Sequence, residues 1–261
     1  MDILTHAISG LAAGTVVVGI FQKRKVGSWK IIGFSGLGAV LPDIDAVSMW
    51  SKFDSTFGKL FHLSYPGQTI YSMKLWYSHH GFFHSIVAAL LFTFLLGLIF
   101  YLFNKKQKKI FSFAFENNLP VLIGFFTGFI IHLLEDMPTP SSSWGGVRLF
   151  FPLKTYIGGS GDIWWWNNYD IFLIVLTVLL MNGLVLAIQH IFKLKIGKMT
   201  VLFLFAGMIL CFIQVKSRKF DFNGNTYQQC EQKSKEIQQG ILGNKCYKLM
   251  IDFDNKIRLN F

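Results

Sequence analysis

Histidine residues that could bind a metal or move a proton cluster in one short stretch of this sequence. Three of the seven histidines, His79, His80 and His84, fall between Tyr77 and Ser85, directly before a long apolar run. His80 and His84 stand four positions apart, the spacing that puts two side chains on one face of a helix. Imidazole is the commonest metal ligand and the usual acid or base near neutral pH. The stretch therefore predicts a metal or acid–base site, with a polar cluster at a helix start as the alternative.

Other residues that could bind metal occur near the ends of apolar runs. His132 and Asp136 have the same four-residue spacing, so both could chelate one ion from a single helix face. Mixed imidazole and carboxylate ligation suits zinc, manganese or iron better than calcium, which prefers oxygen-only shells. We expect one to three divalent ions, with zinc favoured over manganese and iron. The predicted metal ligands are His6, Asp43, Asp45, His84, His132 and Asp136.

The composition is that of a membrane protein. The chain has 261 residues, of which 52% are hydrophobic and 15% are charged, and its mean hydropathy is +0.44. Soluble domains carry roughly one quarter charged residues. Several apolar runs approach the ~20 residues that cross a ~30 Å hydrocarbon core. We predict an all-α, polytopic membrane helical bundle with spans at 3–21, 31–47, 82–103, 119–135, 171–192 and 199–215.

Basic residues cluster in alternate loops, at 23–30, 105–109 and 193–198. The positive-inside rule then places both termini and the two long loops on the outer, periplasmic side of a bacterial inner membrane. With this orientation, all six predicted ligands fall at the outer ends of their spans. The same clusters account for the net charge of +11, so nucleic acid is not an expected partner.

Two units follow from the polarity of the chain. Residues 1–215 form the membrane-embedded unit, and the polar tail 216–261 is predicted to be a small extramembrane domain. If that tail is outside, Cys230 and Cys246 could form a disulfide, with two free thiols as the alternative.

We expect Glu135 to face the headgroup layer and the run Trp164-Trp-Trp166 to belong to an interfacial aromatic belt.

Candidate catalytic residues lie in the outer loops. Arg148 follows the helix bearing His132 and could hold a phosphate oxygen, because a guanidinium binds phosphate bidentately. The alternative is an interfacial arginine without catalytic function. His79 or His80 could donate a proton to a leaving group.

Several motifs together resemble a known family. They are Met1-Asp-x-x-Thr5-His6-x-x-x-Gly10, Leu41-Pro-Asp-Ile-Asp45, His79-x-Gly-x-x-His84-Ser85, His132-Leu-Leu-x-Asp136-x-x-Thr139, and Trp144-Gly with Val147-Arg-Leu and Pro152. The resemblance is to the YdjM-like inner-membrane proteins, and it implies a multi-span protein with a metal-hydrolase site; some members are described as LexA-binding. His80 departs from the family, which commonly has arginine there, so His79 and His84 are preferred as ligands. The His-x-x-x-Asp helix is also distantly similar to the zinc phospholipase C and P1 nuclease group.

The function that these features predict is metal-dependent hydrolysis of a phosphoester in a lipid or lipid-linked substrate. A site one helical turn below the interface suits a substrate that stays in the bilayer. The same histidines and aspartates could instead line an ion or proton pathway, since intramembrane charges are functional candidates by default. A third possibility is a regulatory membrane protein of the LexA-binding type. The sequence does not indicate the oligomeric state.

Overall fold

The chain folds as a helical bundle, in a computed structural model that describes residues 1–21, 27–104, 111–141 and 145–257. Within these ranges, six helices are long and apolar enough to cross a membrane. The β-structure found there is limited to two isolated bridges in the loop after the fourth span, so the predicted all-α class is confirmed. The α-helices are α1 (Ile3–Ile20), α2 (Ser28–Val40), α3 (Gly67–Ser72), α4 (Ile86–Asn104), α5 (Phe111–Asp136), α6 (Tyr169–Phe192), α7 (Met199–Lys216) and α8 (Tyr227–Ile257).

The second span changes its helix type part of the way along. After α2 ends at Val40, the chain continues as a 3-10 helix from Leu41 to Met49. Pro42 at the start of this segment lacks an amide hydrogen and crowds the carbonyl one turn earlier, which disfavours continued α-helix. The tighter winding re-aims the two aspartates that follow the proline.

The third span begins later than predicted. A 3-10 turn covers Phe82–His84, and α4 starts at Ile86 with the Ser85 hydroxyl accepting the amide of Ala88 at 3.1 Å. Ser85 therefore acts as an N-cap and fixes the helix start. His80 lies in a turn with φ of +62°, so the expected helical pairing of His80 with His84 is wrong. Their rings nevertheless lie 4.4 Å apart, because the turn folds back on itself.

The remaining spans agree with the prediction except at their ends. The fourth begins at Phe111, ahead of the predicted residue 119, with Pro120 inside the helix. Most of the basic residues on which the predicted orientation depends, at 23–25 and 105–109, lie outside the described residues. The side on which the termini lie therefore stays a prediction.

Helices α1, α2 and α5 pack closely through small residues. A Cβ on Gly38 of α2 would lie 2.1 Å from the carbonyl oxygen of Phe125, and one on Gly128 of α5 would lie 1.9 Å from that of Ser35. Such contacts need glycine on one side, as is common where membrane helices meet backbone to backbone. The close packing brings the ends of all three helices to one point.

The tail packs on the loop between α5 and α6. Trp164 and Trp165 are buried in a cluster with Phe222 and Cys230 of the tail. These two tryptophans thus lie inside the protein, and not at the lipid-facing surface expected of an aromatic belt. The structure leaves Cys230 and Cys246 as free thiols.

A buried ion pair adds to this contact. Arg218 Nη2 lies 2.8 Å from Asp170 at the start of α6, and Gln238 of α8 donates a hydrogen bond to the same carboxylate at 2.9 Å. The tail therefore restrains the first turn of α6.

We predict that Gly38→Ala lowers stability, because the new methyl group would overlap the backbone of α5. Overpacking of this kind costs about 1–3 kcal/mol. Gly33→Ala in the same helix is the matched control, since nothing lies within 4 Å of its Cβ position. Thermal unfolding of both variants in detergent, followed by size-exclusion chromatography, tests this; equal melting temperatures would contradict the close-packing argument.

Candidate metal centre

His6 enters the site from the first turn of α1. The Asp2 carboxylate caps this helix by accepting the Thr5 amide at 2.8 Å and the Thr5 hydroxyl at 2.7 Å. His6 is fully buried, and its ring stacks on that of His132 at 3.9 Å between centroids. Its Nε2 lies 3.3 Å from Asp136 Oδ1. The helix cap and the stacking therefore aim the imidazole at the end of α5.

The end of α2 holds His132 in place. His132 Nδ1 donates a hydrogen bond of 2.6 Å to the carbonyl of Ala39, in the last turn of α2. The carbonyls at a helix end have no partner within the helix, so a side chain can use one without breaking the helix. This bond leaves Nε2 of the neutral ring free of a proton and directed toward Asp136, at 3.1 Å from Oδ2.

The loop before α4 supplies three more imidazoles. His79 Nδ1 donates to Asp45 Oδ1 at 2.7 Å, and its ring stacks on Tyr71 of α3. His80 Nδ1 donates to the carbonyl of Gly146 at 2.8 Å, so its Nε2 points inward, 3.5 Å from Asp136 Oδ2. In His84, Nδ1 lies 3.1 Å from Asp45 and Nε2 points inward.

Four of the inward-facing atoms form a compact set, called here the central quartet: Asp43 Oδ1, His84 Nε2, His132 Nε2 and Asp136 Oδ2. His84 Nε2 lies 3.1 Å from His132 Nε2, 3.5 Å from Asp136 Oδ2 and 3.7 Å from Asp43 Oδ1. His132 Nε2 lies 3.5 Å from Asp43 Oδ1. Metal–ligand bonds of about 2.0–2.1 Å in a tetrahedron separate neighbouring ligands by about 3.3–3.4 Å. The central quartet can therefore hold a metal ion with little rearrangement.

Two further groups adjoin the central quartet and share ligands with it. His79, His80 and His84 form one, and Asp43, Asp45 and His79 form the other; in each, the candidate ligand atoms lie within 4.8 Å of one another. Asp136 offers its second oxygen to His6, and the amino group of Met1 also contacts this carboxylate. These groups overlap, so they are alternative sets of metal ligands, and the number of ions and their identity stay predictions.

The structure brings all six predicted metal ligands into this one buried region, together with His79 and His80. The side chain of Arg148 is directed elsewhere. Its Nε and Nη2 donate to the carbonyls of Leu153 and Pro152 at 2.7 and 2.8 Å, and its backbone amide donates to the carbonyl of His80 at 3.1 Å. Arg148 therefore stabilises the loop that covers the histidines, and its predicted contact with phosphate stays a prediction.

Glu135 is a residue whose position the sequence interpretation missed. It does not simply face the headgroup layer: Glu135 Oε2 accepts a hydrogen bond of 2.6 Å from His6 Nδ1, and Oε1 contacts the Ser9 hydroxyl. A carboxylate behind a metal-binding imidazole fixes the ring orientation and raises its basicity. A carboxylate adjacent to Asp136 in an intramembrane helix was the available signal, because such a group requires a partner.

The loop histidines differ in their charge. Burial, and then the nearby His79 and His84, lower the pKa of His80 to about 3. Burial also opposes the charged form of His84, but the carboxylates of Asp45, Asp136 and Asp43 outweigh it and raise the pKa of His84 well above the usual value. His80 is thus a neutral donor of a lone pair at neutral pH, whereas the surrounding carboxylates favour the charged form of His84.

The similarity of the chain to known proteins is consistent with this arrangement. The family profile described as YdjM inner membrane protein matches residues 1–220, which include the whole candidate metal centre and extend through α7. Searches of curated proteins and of solved structures gave no match. The more distant similarity to zinc phospholipase C is therefore not confirmed.

We predict that Glu135→Gln weakens metal binding by about ten- to hundredfold, the usual effect of losing a carboxylate behind a ligating histidine. Glu116→Gln is the matched control, because Glu116 is an exposed residue of the same helix. Competition of each purified variant with a zinc-sensitive dye measures the affinity. Equal affinities for the two variants would show that the Glu135 carboxylate does not support a metal ligand.

Proposed function

The chain belongs to the YdjM inner membrane protein family, and from that premise we propose that it is a metal-dependent hydrolase acting on a phosphoester of a lipid or lipid-linked substrate. The proposal depends most on the central quartet. Two imidazole nitrogens and two carboxylate oxygens meet at ligand-to-ligand distances, although they come from the end of the second span, the 3-10 turn Phe82–His84 and α5.

The ligand types also favour catalysis by zinc or a similar ion. Asp43, His84, His132 and Asp136 would hold the ion, with zinc proposed ahead of manganese and iron because of the mixed nitrogen and oxygen ligands. A bound ion of this kind supplies Lewis-acid polarisation and a water that ionises near neutral pH. The protein side chains orient and bury the reacting groups, and the carbonyls of Ala39 and Gly146 fix the orientation of two imidazoles.

A histidine of the loop before α4 would donate the proton to the leaving group. His79 is the better candidate in this geometry, because it is paired with Asp45 and retains a small exposed fraction of 6%. A carboxylate partner supports an imidazole that accepts and returns a proton. His80 has its Nδ1–H engaged by Gly146 and its lone pair directed at Asp136, which fits a ligand better than an acid.

A lipid substrate is favoured by the depth of the site. Asp43, His132 and Asp136 belong to span-length helices, and apolar side chains such as Ile44, Val47 and Trp50 are exposed beside them. A phosphate on a lipid headgroup can reach a centre at the end of a span without leaving the bilayer. Large apolar surfaces of this kind are unfavourable in water and expected at a membrane.

The competing transport function has less support. Among the described residues, the buried titratable side chains lie at one end of the bundle, from Asp2 and His6 to Asp136, Arg148 and Asp170. The buried polar pair in the middle of the bundle, Asn182 and Thr15, forms a hydrogen bond of 3.0 Å and cannot carry a proton as an acid would. A pathway across the membrane should place ionisable groups at several depths.

We predict that the wild-type protein binds at least one zinc ion and that Asp136→Asn and His132→Ala lose it. Phosphate release from liposomes containing phosphatidic acid should fall at least about hundredfold in both variants, since losing a ligand affects the centre more than losing a partner behind a ligand. His62→Ala is the control, because His62 is exposed in a loop. Elemental analysis and a phosphate assay give the two readouts.

Three outcomes would contradict the proposal. Asp136→Asn could retain both metal and activity, which would exclude the central quartet from catalysis. Wild-type protein could bind zinc yet release no phosphate from any lipid phosphoester tested. Alternatively, reconstituted protein could move zinc or protons across liposomes without hydrolysis, in which case transport would be the function.

A further inference from the structure

A large cavity lies beside the candidate metal centre. It has a volume of about 520 Å³, is open on one side, and is lined by α1, α5, α6, α7 and the loop after α5. This volume falls within the roughly 300–1,000 Å³ typical of small-molecule sites. Most of its lining is apolar, with Ile131, Leu134, Val175, Val178, Leu204 and Phe212 among the walls.

The cavity follows one face of α7. The residues of α7 that line it are Leu204, Gly207, Met208, Cys211, Phe212, Val215 and Lys216, which is the spacing of a single helical face. Twelve residue steps at 1.5 Å each give a length of about 18 Å from Leu204 to Lys216. One leaflet of a bilayer with a ~30 Å hydrocarbon core is about 15 Å deep. The cavity therefore has the length of a hydrocarbon chain in one leaflet.

One end of the cavity is polar and adjoins the metal centre. Glu135 lines the cavity, while the next residue, Asp136, belongs to the central quartet. Met1 also lines the cavity and contacts Asp136 through its amino group. At the same end, Lys216 forms an ion pair with Asp162 at 2.7 Å, and both residues line the cavity. The opposite end, around Leu204, is apolar.

We propose that this cavity binds one hydrocarbon chain of a phospholipid whose phosphate lies at the metal centre. The inference rests on the proposed function, because it assigns the chain to the same lipid that the centre would hydrolyse. The apolar walls match an acyl chain, the length matches one leaflet, and the polar end brings the headgroup to Asp136.

Photolabelling tests chain binding without turnover. The probe is phosphatidic acid with a diazirine at the end of one acyl chain, in liposomes containing the wild-type protein. We expect labelling of the cavity walls near Leu204 and Val175. Leu204→Trp should lower this labelling about tenfold, because the larger ring excludes roughly two methylene groups.

Leu202→Trp is the matched control on the same helix, since Leu202 is 66% exposed on the lipid-facing side and does not line the cavity. Val175→Phe, a smaller change on the facing wall, provides a second filling variant if Leu204→Trp fails to fold by size-exclusion chromatography. Labelling spread over exposed side chains such as Leu180 and unchanged in the filling variants would overturn the inference.

Phosphate release separates this inference from the proposed function. Leu204→Trp should raise KM for long-chain phosphatidic acid about tenfold and leave the hydrolysis of a short-chain analogue unchanged. If wild-type protein is labelled in the cavity but releases no phosphate, chain binding stands and hydrolysis fails. If phosphate is released normally by both filling variants, hydrolysis stands and the cavity assignment fails.

Discussion

The structure depends most on neutralising a carboxylate, Asp136, that is buried at the end of an intramembrane helix. A charged side chain inside a bilayer costs about 2.5–3.5 kcal/mol even on insertion-based scales, and partners must offset this cost. Here the amino group of Met1 pairs with Asp136. Four imidazoles also direct Nε2 toward this carboxylate, and a cation held between them would offset its charge; they belong to His132 at 3.1 Å, His6 at 3.3 Å, and His84 and His80 at 3.5 Å. Removing the carboxylate would leave these imidazoles facing one another. The positions of α1, α5 and the 3-10 turn before α4 are therefore coupled through one side chain.

The imidazoles are held from behind by fixed acceptors. The Nδ1 atoms of His132 and His80 bond to backbone carbonyls, and those of His6 and His79 bond to the carboxylates of Glu135 and Asp45. Each bond selects the tautomer that leaves Nε2 available for an ion, which is how proteins prepare histidine ligands. Because Ala39 and Gly146 belong to the main chain, the orientation of these rings follows from the backbone packing of α2 and of the covering loop.

Helix α5 joins the polar and the apolar halves of the protein. Adjacent residues of this helix face different environments, with Asp136 in the central quartet and Glu135 at the edge of the apolar cavity. On the other side, Gly128 allows the backbone of α2 to approach closely. A single helix thus positions two ligands of the central quartet, part of the cavity wall and a close helix contact. A shift of α5 would change all three together.

The sequence by itself determined the all-α membrane bundle, because apolar runs of span length have no other stable fold in a bilayer. It also identified His6, Asp43, Asp45, His84, His132 and Asp136 as neighbours, since each lies at a span end. The prediction that His80 and His84 share a helix face was wrong, because His80 lies in a turn with positive φ. Only the tertiary structure decided that Glu135 supports His6, that Arg148 bonds to its own loop, and that a cavity adjoins the centre. These features depend on side chains meeting across helices, which no spacing along one chain encodes.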